Sequence, residues 1–134
     1  MQAWGAFKTQ AGDGRFQSAF HAVEAAIRQL AASRDGAILS IVLFGSLARR
    51  RPTYDDIDML IITEPGVASM SELTHHLAEE VFGPLFLQYG ELFSFIVYTR
   101  EQFAQLQDIL PLLGEVRREG VLLYGSDPFT RAAG

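Results

Sequence analysis

Apolar positions along this chain fall into two kinds of pattern. From Phe16 to Leu30 the side chains Phe16, Phe20, Val23, Ile27 and Leu30 recur every three or four residues, which sets them on one face of an amphipathic helix. Asp35-Gly36 closes that unit. The run Ile38-Leu39-Ser40-Ile41-Val42-Leu43-Phe44 is almost continuously apolar, the pattern of a strand buried on both faces, and it stops at Gly45-Ser46. Ile57 to Ile62 repeats that pattern between Arg49-Arg50-Arg51-Pro52 and Glu64-Pro65-Gly66. Ser69 with Glu72 has the form of a capping box ahead of a helical stripe, Met70, Leu73, Leu77 and Val81, that ends near Gly83-Pro84. Leu92 to Tyr98 predicts a third strand, and Thr99 with Gln102 caps a short helix through Leu106. Pro111 interrupts the pattern before a helix over Leu112 to Glu119, and Val121 to Tyr124 reads as a last strand.

This order lacks the strict alternation of a parallel fold, so it predicts an α+β architecture: a mixed β-sheet covered by helices, mainly on one face. With 134 residues, 49% of them apolar, a single domain spanning 1–134 is expected, Met1 to Gly14 forming a loose start, above all at Thr9 to Gly14. The net charge of −5 disfavours direct nucleic-acid binding. The absence of cysteine removes disulfides, thiol nucleophiles and thiolate zinc sites, so any metal must be held by oxygen or imidazole. Met1 to Gly14 lacks the basic start and apolar run of a secretory signal, and no stretch is long enough to span a bilayer; a cytoplasmic protein without a membrane partner is expected.

Candidate chemistry concentrates between Phe44 and Met59. Gly45 lets backbone approach a phosphate without a Cβ in the way, and Ser46, opening a short helix, can aim a hydroxyl and free N–H groups at an anion. Asp56 and Asp58 are two apart on a strand, so both carboxylates leave one face and can bracket a hard divalent cation, with Mg2+ suiting them best. Gly-Ser alone and Asp-x-Asp alone are weak signals. Their coupling, at the end of one buried strand and the start of the next, lowers chance coincidence to on the order of one per cent in a chain of this length.

At Gly45-Ser46-Leu47-Ala48-Arg49-Arg50 and Asp55-Asp56-Ile57-Asp58-Met59 the sequence resembles the nucleotidyltransferases of the DNA polymerase β superfamily, in particular the minimal nucleotidyltransferases (MNT). Arg117-Arg118-Glu119-Gly120-Val121-Leu122-Leu123-Tyr124-Gly125 is similar to that family's C-terminal end. The resemblance implies transfer of a nucleoside monophosphate, usually AMP from ATP, to a hydroxyl, with Gly45, Ser46 and Arg49 on the nucleotide and Asp56 and Asp58 holding magnesium. Ser46, Asp56 and Asp58 are the expected catalytic set. It further implies an antitoxin whose protein partner is a HEPN-type toxin. Two departures stand out: Arg50 replaces the motif's last glycine, adding bulk and charge beside the phosphate turn, and Ser94 stands where a third carboxylate is sought. Glu91 points away from Ser94's face if the strand is regular.

Competing readings accompany each residue. An interaction protein that neutralises its partner by binding alone is the second function, and Ser94 favours it; a small-molecule acceptor is the third, against which the chain's short length counts. Asp55 points to the opposite face from Asp56, and of Arg49, Arg50 and Arg51 only the first matches the motif. His75-His76 sit about 100° apart on a helix and read as exposed surface, and His21 as structural. Phe93 and Phe95 read as core, with a subunit interface as their second reading. So small a chain has little room to cover both nucleotide and acceptor, so the acceptor or a second subunit is expected to complete the cleft.

Overall fold

The computed structural model describes residues 1–11, 14–33, 37–66 and 69–129. Strands β1 (Gln2–Ala3), β2 (Ile38–Phe44), β3 (Asp56–Thr63), β4 (Leu92–Thr99) and β5 (Val121–Gly125) form a mixed sheet in the order β1-β5-β2-β3-β4. β2 lies antiparallel between β5 and β3, whereas β1 runs parallel to β5 and β4 parallel to β3. The helices are α1 (Trp4–Ala11), α2 (Gln17–Ala31), α3 (Gly45–Ala48), α4 (Met70–Leu77), α5 (Gly83–Tyr89), α6 (Arg100–Leu106) and α7 (Pro111–Glu119). The expected α+β class and mixed sheet are those found.

Strand alternation divides the core between the two faces of the sheet. Ile41, Leu43, Ile57, Met59 and Ile61 pack on one face with Phe7, Val23, Leu30, Leu77 and Leu85 from α1, α2, α4 and α5. Val42, Leu60 and Ile62 pack on the other with Phe103 of α6, Leu113 and Val116 of α7, and Phe129. The first face carries most of the helices, as predicted. Both strands read as continuously apolar, β2 and β3, are central, which explains why neither alternates with polar residues.

Helix starts follow their caps. Ser69 Oγ accepts the Glu72 N–H at 3.1 Å, and Thr99 and Gln102 form a reciprocal box with bonds of 3.0 and 3.1 Å. Gly83-Pro84, in contrast, is not a helix end. A π-helical segment, Ala78–Phe82, links α4 to α5, with Gly83 N–H reaching back to Ala78 O, and Pro84 follows at the start of α5 within the continuing helix. The stop is Gly90, at φ +73°, whose N–H donates to Phe86 O at 2.8 Å.

At the N-terminus Gln2–Ala3 extends the sheet, and α1 buries Phe7 among the rings of Trp4 and Phe20, 5.7 and 5.8 Å away. Lys8 pairs with Glu24, which also accepts the Trp4 indole N–H at 3.3 Å. The Asp35-Gly36 stop and the Gly12-Asp13 part of the expected loose segment lie outside the described residues. Leu43 is fully buried in the central strand, so Leu43→Ala should cost about 2–5 kcal/mol in urea denaturation. Thr99→Ala removes only a cap and should cost about 1 kcal/mol.

Candidate active site

β2 ends at Phe44 and the backbone turns at Gly45, whose φ of +79° suits a residue without a Cβ. The β2–β3 register pairs Phe44 with Asp58, making the turn and the acid neighbours. Their approach is close: a Cβ on Gly45 would lie 2.1 Å from Asp58 Oδ2 and 3.0 Å from its Cγ. A positive φ and a lack of room thus select glycine independently. Gly45–Ala48 then forms one helical turn, closed by Arg49 N–H to Gly45 O at 3.1 Å and followed by Arg51 N–H to Ser46 O at 3.0 Å. Ser46 is half-buried in the first part of that turn, where helix N–H groups lack acceptors within the helix.

Asp56 and Asp58 are half-buried and share the parity of Leu60 and Ile62, which places them on the face covered by α6 and α7. Burial holds the Asp58 carboxyl above its ordinary pKa, the nearby Asp56 charge adds to this, and Arg49 opposes it. The Arg49 guanidinium also contacts Glu119 Oε2, at the end of α7, at 2.8 Å. Asp55 is exposed just ahead of β3.

The β3–β4 register sets Ser94 beside Asp58 and Leu92 beside Asp56. Neighbours in register share a face, so the position next to Asp58 carries a hydroxyl, not an acid. Glu91 is occupied elsewhere: the Tyr54 hydroxyl donates to its two carboxylate oxygens at 3.0 and 3.2 Å. Burial, and then the bond to Glu91, push the Tyr54 hydroxyl pKa up to about 12. Among the described residues no group of three or more His, Asp or Glu gathers around a common centre.

Arg50 corrects an expectation. It adopts φ +56°, the left-handed conformation that glycine would supply at this position of the motif, so the turn survives the replacement. Its side chain leaves the Gly45 turn, with the guanidinium 4.8 Å from the centre of the Phe7 ring and Nη2 donating to Gln10 Oε1 at 2.6 Å. His75 and His76 are exposed, the former 3.0 Å from Glu79, and His21 is exposed as well. Glu119 and Gln10 received no role from the sequence. They lie 70 and 40 residues from their arginine partners, so no local spacing pairs them.

The geometry allows comparison with solved structures. A chain of a mutant toxin–antitoxin complex, MntA–HpeT, matches over 81% of this chain and 76% of its own, at 17% identity and a TM-score of 0.52. The two chains share a fold. No family model matches this sequence, and no curated protein matches it.

Two outcomes test the site's physics. Gly45→Ala should displace the Asp58 carboxylate and destabilise the fold by more than the roughly 1 kcal/mol of an ordinary strained φ, read by denaturation. A carboxyl whose folded-state pKa is raised contributes stability that is present below the unfolded pKa and lost as pH rises through the folded one. In chelator, therefore, Asp58→Asn should match the parent near pH 3 and exceed it in stability at neutral pH, measured by melting temperature across that range.

Proposed function

We propose that this chain is a magnesium-dependent nucleotidyltransferase that moves a nucleoside monophosphate, AMP from ATP, onto a protein hydroxyl, and that it acts as the antitoxin of a HEPN-type toxin. The observation that carries the reading is the close packing of Gly45 against Asp58, which unites a phosphate-compatible turn with an acid pair. The partner class rests on the motif resemblance, together with the shared fold of a toxin–antitoxin component.

The donor set suits magnesium: two oxygen ligands on one strand face, one of them held above its ordinary pKa, gain from a divalent cation that relieves their repulsion. Asp56 and Asp58 would hold it, and bound there it supplies charge neutralisation for the triphosphate and the departing pyrophosphate. The Gly45 and Ser46 N–H groups and the Ser46 hydroxyl cradle phosphate oxygens, while Arg49, steadied by Glu119, adds positive charge at the rim. In the transfer the acceptor oxygen bonds to the α-phosphorus, the bond from that phosphorus to the bridging oxygen breaks, and pyrophosphate leaves. The acceptor's proton passes to solvent.

Ser94 beside Asp58 favours a second reading, a nucleotidyltransferase-fold protein that neutralises its partner by binding without efficient transfer. Calorimetry with ATP and magnesium on the parent, Asp56→Asn and Asp58→Asn separates the two. The first reading expects magnesium-dependent binding that falls at least tenfold in both variants, and transfer of labelled AMP to a co-purified partner. Absence of ATP binding to the parent, with partner neutralisation untouched by both substitutions, would replace it with the second.

A further inference from the structure

Leu47, Arg49 and Arg50 tie the turn that follows β2 to separate parts of the fold. Leu47 is buried in the same core as Phe7, and Arg49 pairs with Glu119 at the end of α7. Arg50 turns the other way, to α1, where its guanidinium lies 4.8 Å from the centre of the Phe7 ring and Nη2 donates to Gln10 Oε1 at 2.6 Å. Gln10 Oε1 also accepts from Gln2 Nε2 at 2.8 Å, so one oxygen joins β1, α1 and the turn. Phe7 is 1% exposed although Arg50 is open to solvent, so the guanidinium helps to close the core over that ring. At φ +56° glycine would satisfy this backbone more easily than arginine does, but glycine would lose the anchor.

The segment that receives this anchor has two states available to it. β1 pairs with β5 through two residues, and α1 is eight residues long, too short to stay helical once it leaves the core. We propose that Arg50 couples the docking of β1 and α1 to nucleotide occupancy: docked α1 holds the Gly45–Arg49 turn in its phosphate-binding shape through Arg50, and bound nucleotide in turn holds α1 on the core. The inference rests on the nucleotide reading of that turn. Arg50 acts as a positioning residue, since its side chain engages α1 while the residues it steadies, Ser46 and Arg49, face the site. Coupling of this kind is reciprocal, so the factor by which docking raises ATP affinity is the factor by which ATP favours docking.

Two variants cut the link from opposite sides. Arg50→Gly removes the anchor and leaves the turn a residue that accepts its backbone, and Gln10→Ala weakens the anchor without altering the turn. Calorimetry with ATP and magnesium should give an affinity about three- to tenfold weaker for Arg50→Gly, and a smaller loss in the same direction for Gln10→Ala. The double variant should bind no worse than Arg50→Gly alone. Hydrogen exchange reads the reverse direction. In the parent, ATP with magnesium should slow exchange at the Lys8, Thr9 and Gln10 amides; in Arg50→Gly it should not, with α4, which supplies none of these anchors, as the control. A purely structural Arg50 would change the melting temperature and leave the ATP response of α1 in place. If the parent binds ATP and the folded variants match its affinity, or if α1 exchange in the parent ignores ATP, the coupling is overturned and the nucleotide reading stands. A parent that binds no ATP overturns both, and the first titration identifies that case.

Discussion

The contact between Gly45 and the Asp58 carboxylate governs the layout of the site. Antiparallel register between β2 and β3 brings Phe44 opposite Asp58, and the turn that follows must pass the carboxylate at a distance no Cβ would tolerate. Consequences spread along the chain from there. The turn's geometry sets the single helical turn that carries Ser46, and that turn delivers Arg49 towards Glu119 at the end of α7. Central strands buried on both faces hold the register, because a slip by one residue would carry Asp56 and Asp58 to the apolar face packed by α2.

Electrostatics and packing pull in different directions around this contact. Burial beside Asp56 makes ionised Asp58 costly, and Arg49, the cation that relieves it, is shared with Glu119. Such an arrangement is poorly optimised for stability alone and suits a site that receives positive charge from a ligand. Arg50 shows the opposite relation, since a residue in a left-handed conformation is retained while its guanidinium finds Phe7 and Gln10 on α1. The N-terminal segment is thereby tied to the turn through Gln10, and to the sheet through the pairing of β1 with β5.

Ser94 and Glu91 mark how register decides chemistry. Alternation separates them onto opposite faces, and Tyr54, packed against the first core, donates its hydroxyl to Glu91. The register sets the Ser94 hydroxyl, and no carboxylate, beside Asp58 on the strand where the described sheet ends.

The sequence by itself determined four of the five strands and most helix starts, because buried strands, apolar periodicity and side-chain caps are local signals that a few neighbouring residues encode. Ile38 to Phe44 and the Thr99–Gln102 box are both found where the pattern put them. It also marked Gly45, Ser46, Asp56 and Asp58 as one constellation, since a motif joined by a short spacer survives as text. Tertiary structure alone decided the rest. Pro84 lies within a continuing helix because a π-helical segment precedes it, and the N-terminal residues gain order by adding to a strand that lies more than a hundred positions later. Glu119 reaches Arg49, and Gln10 reaches Arg50, only because the sheet and its helices bring distant segments together. Such partners leave no periodicity in the chain: their interaction depends on distance in space, which one-dimensional spacing does not encode.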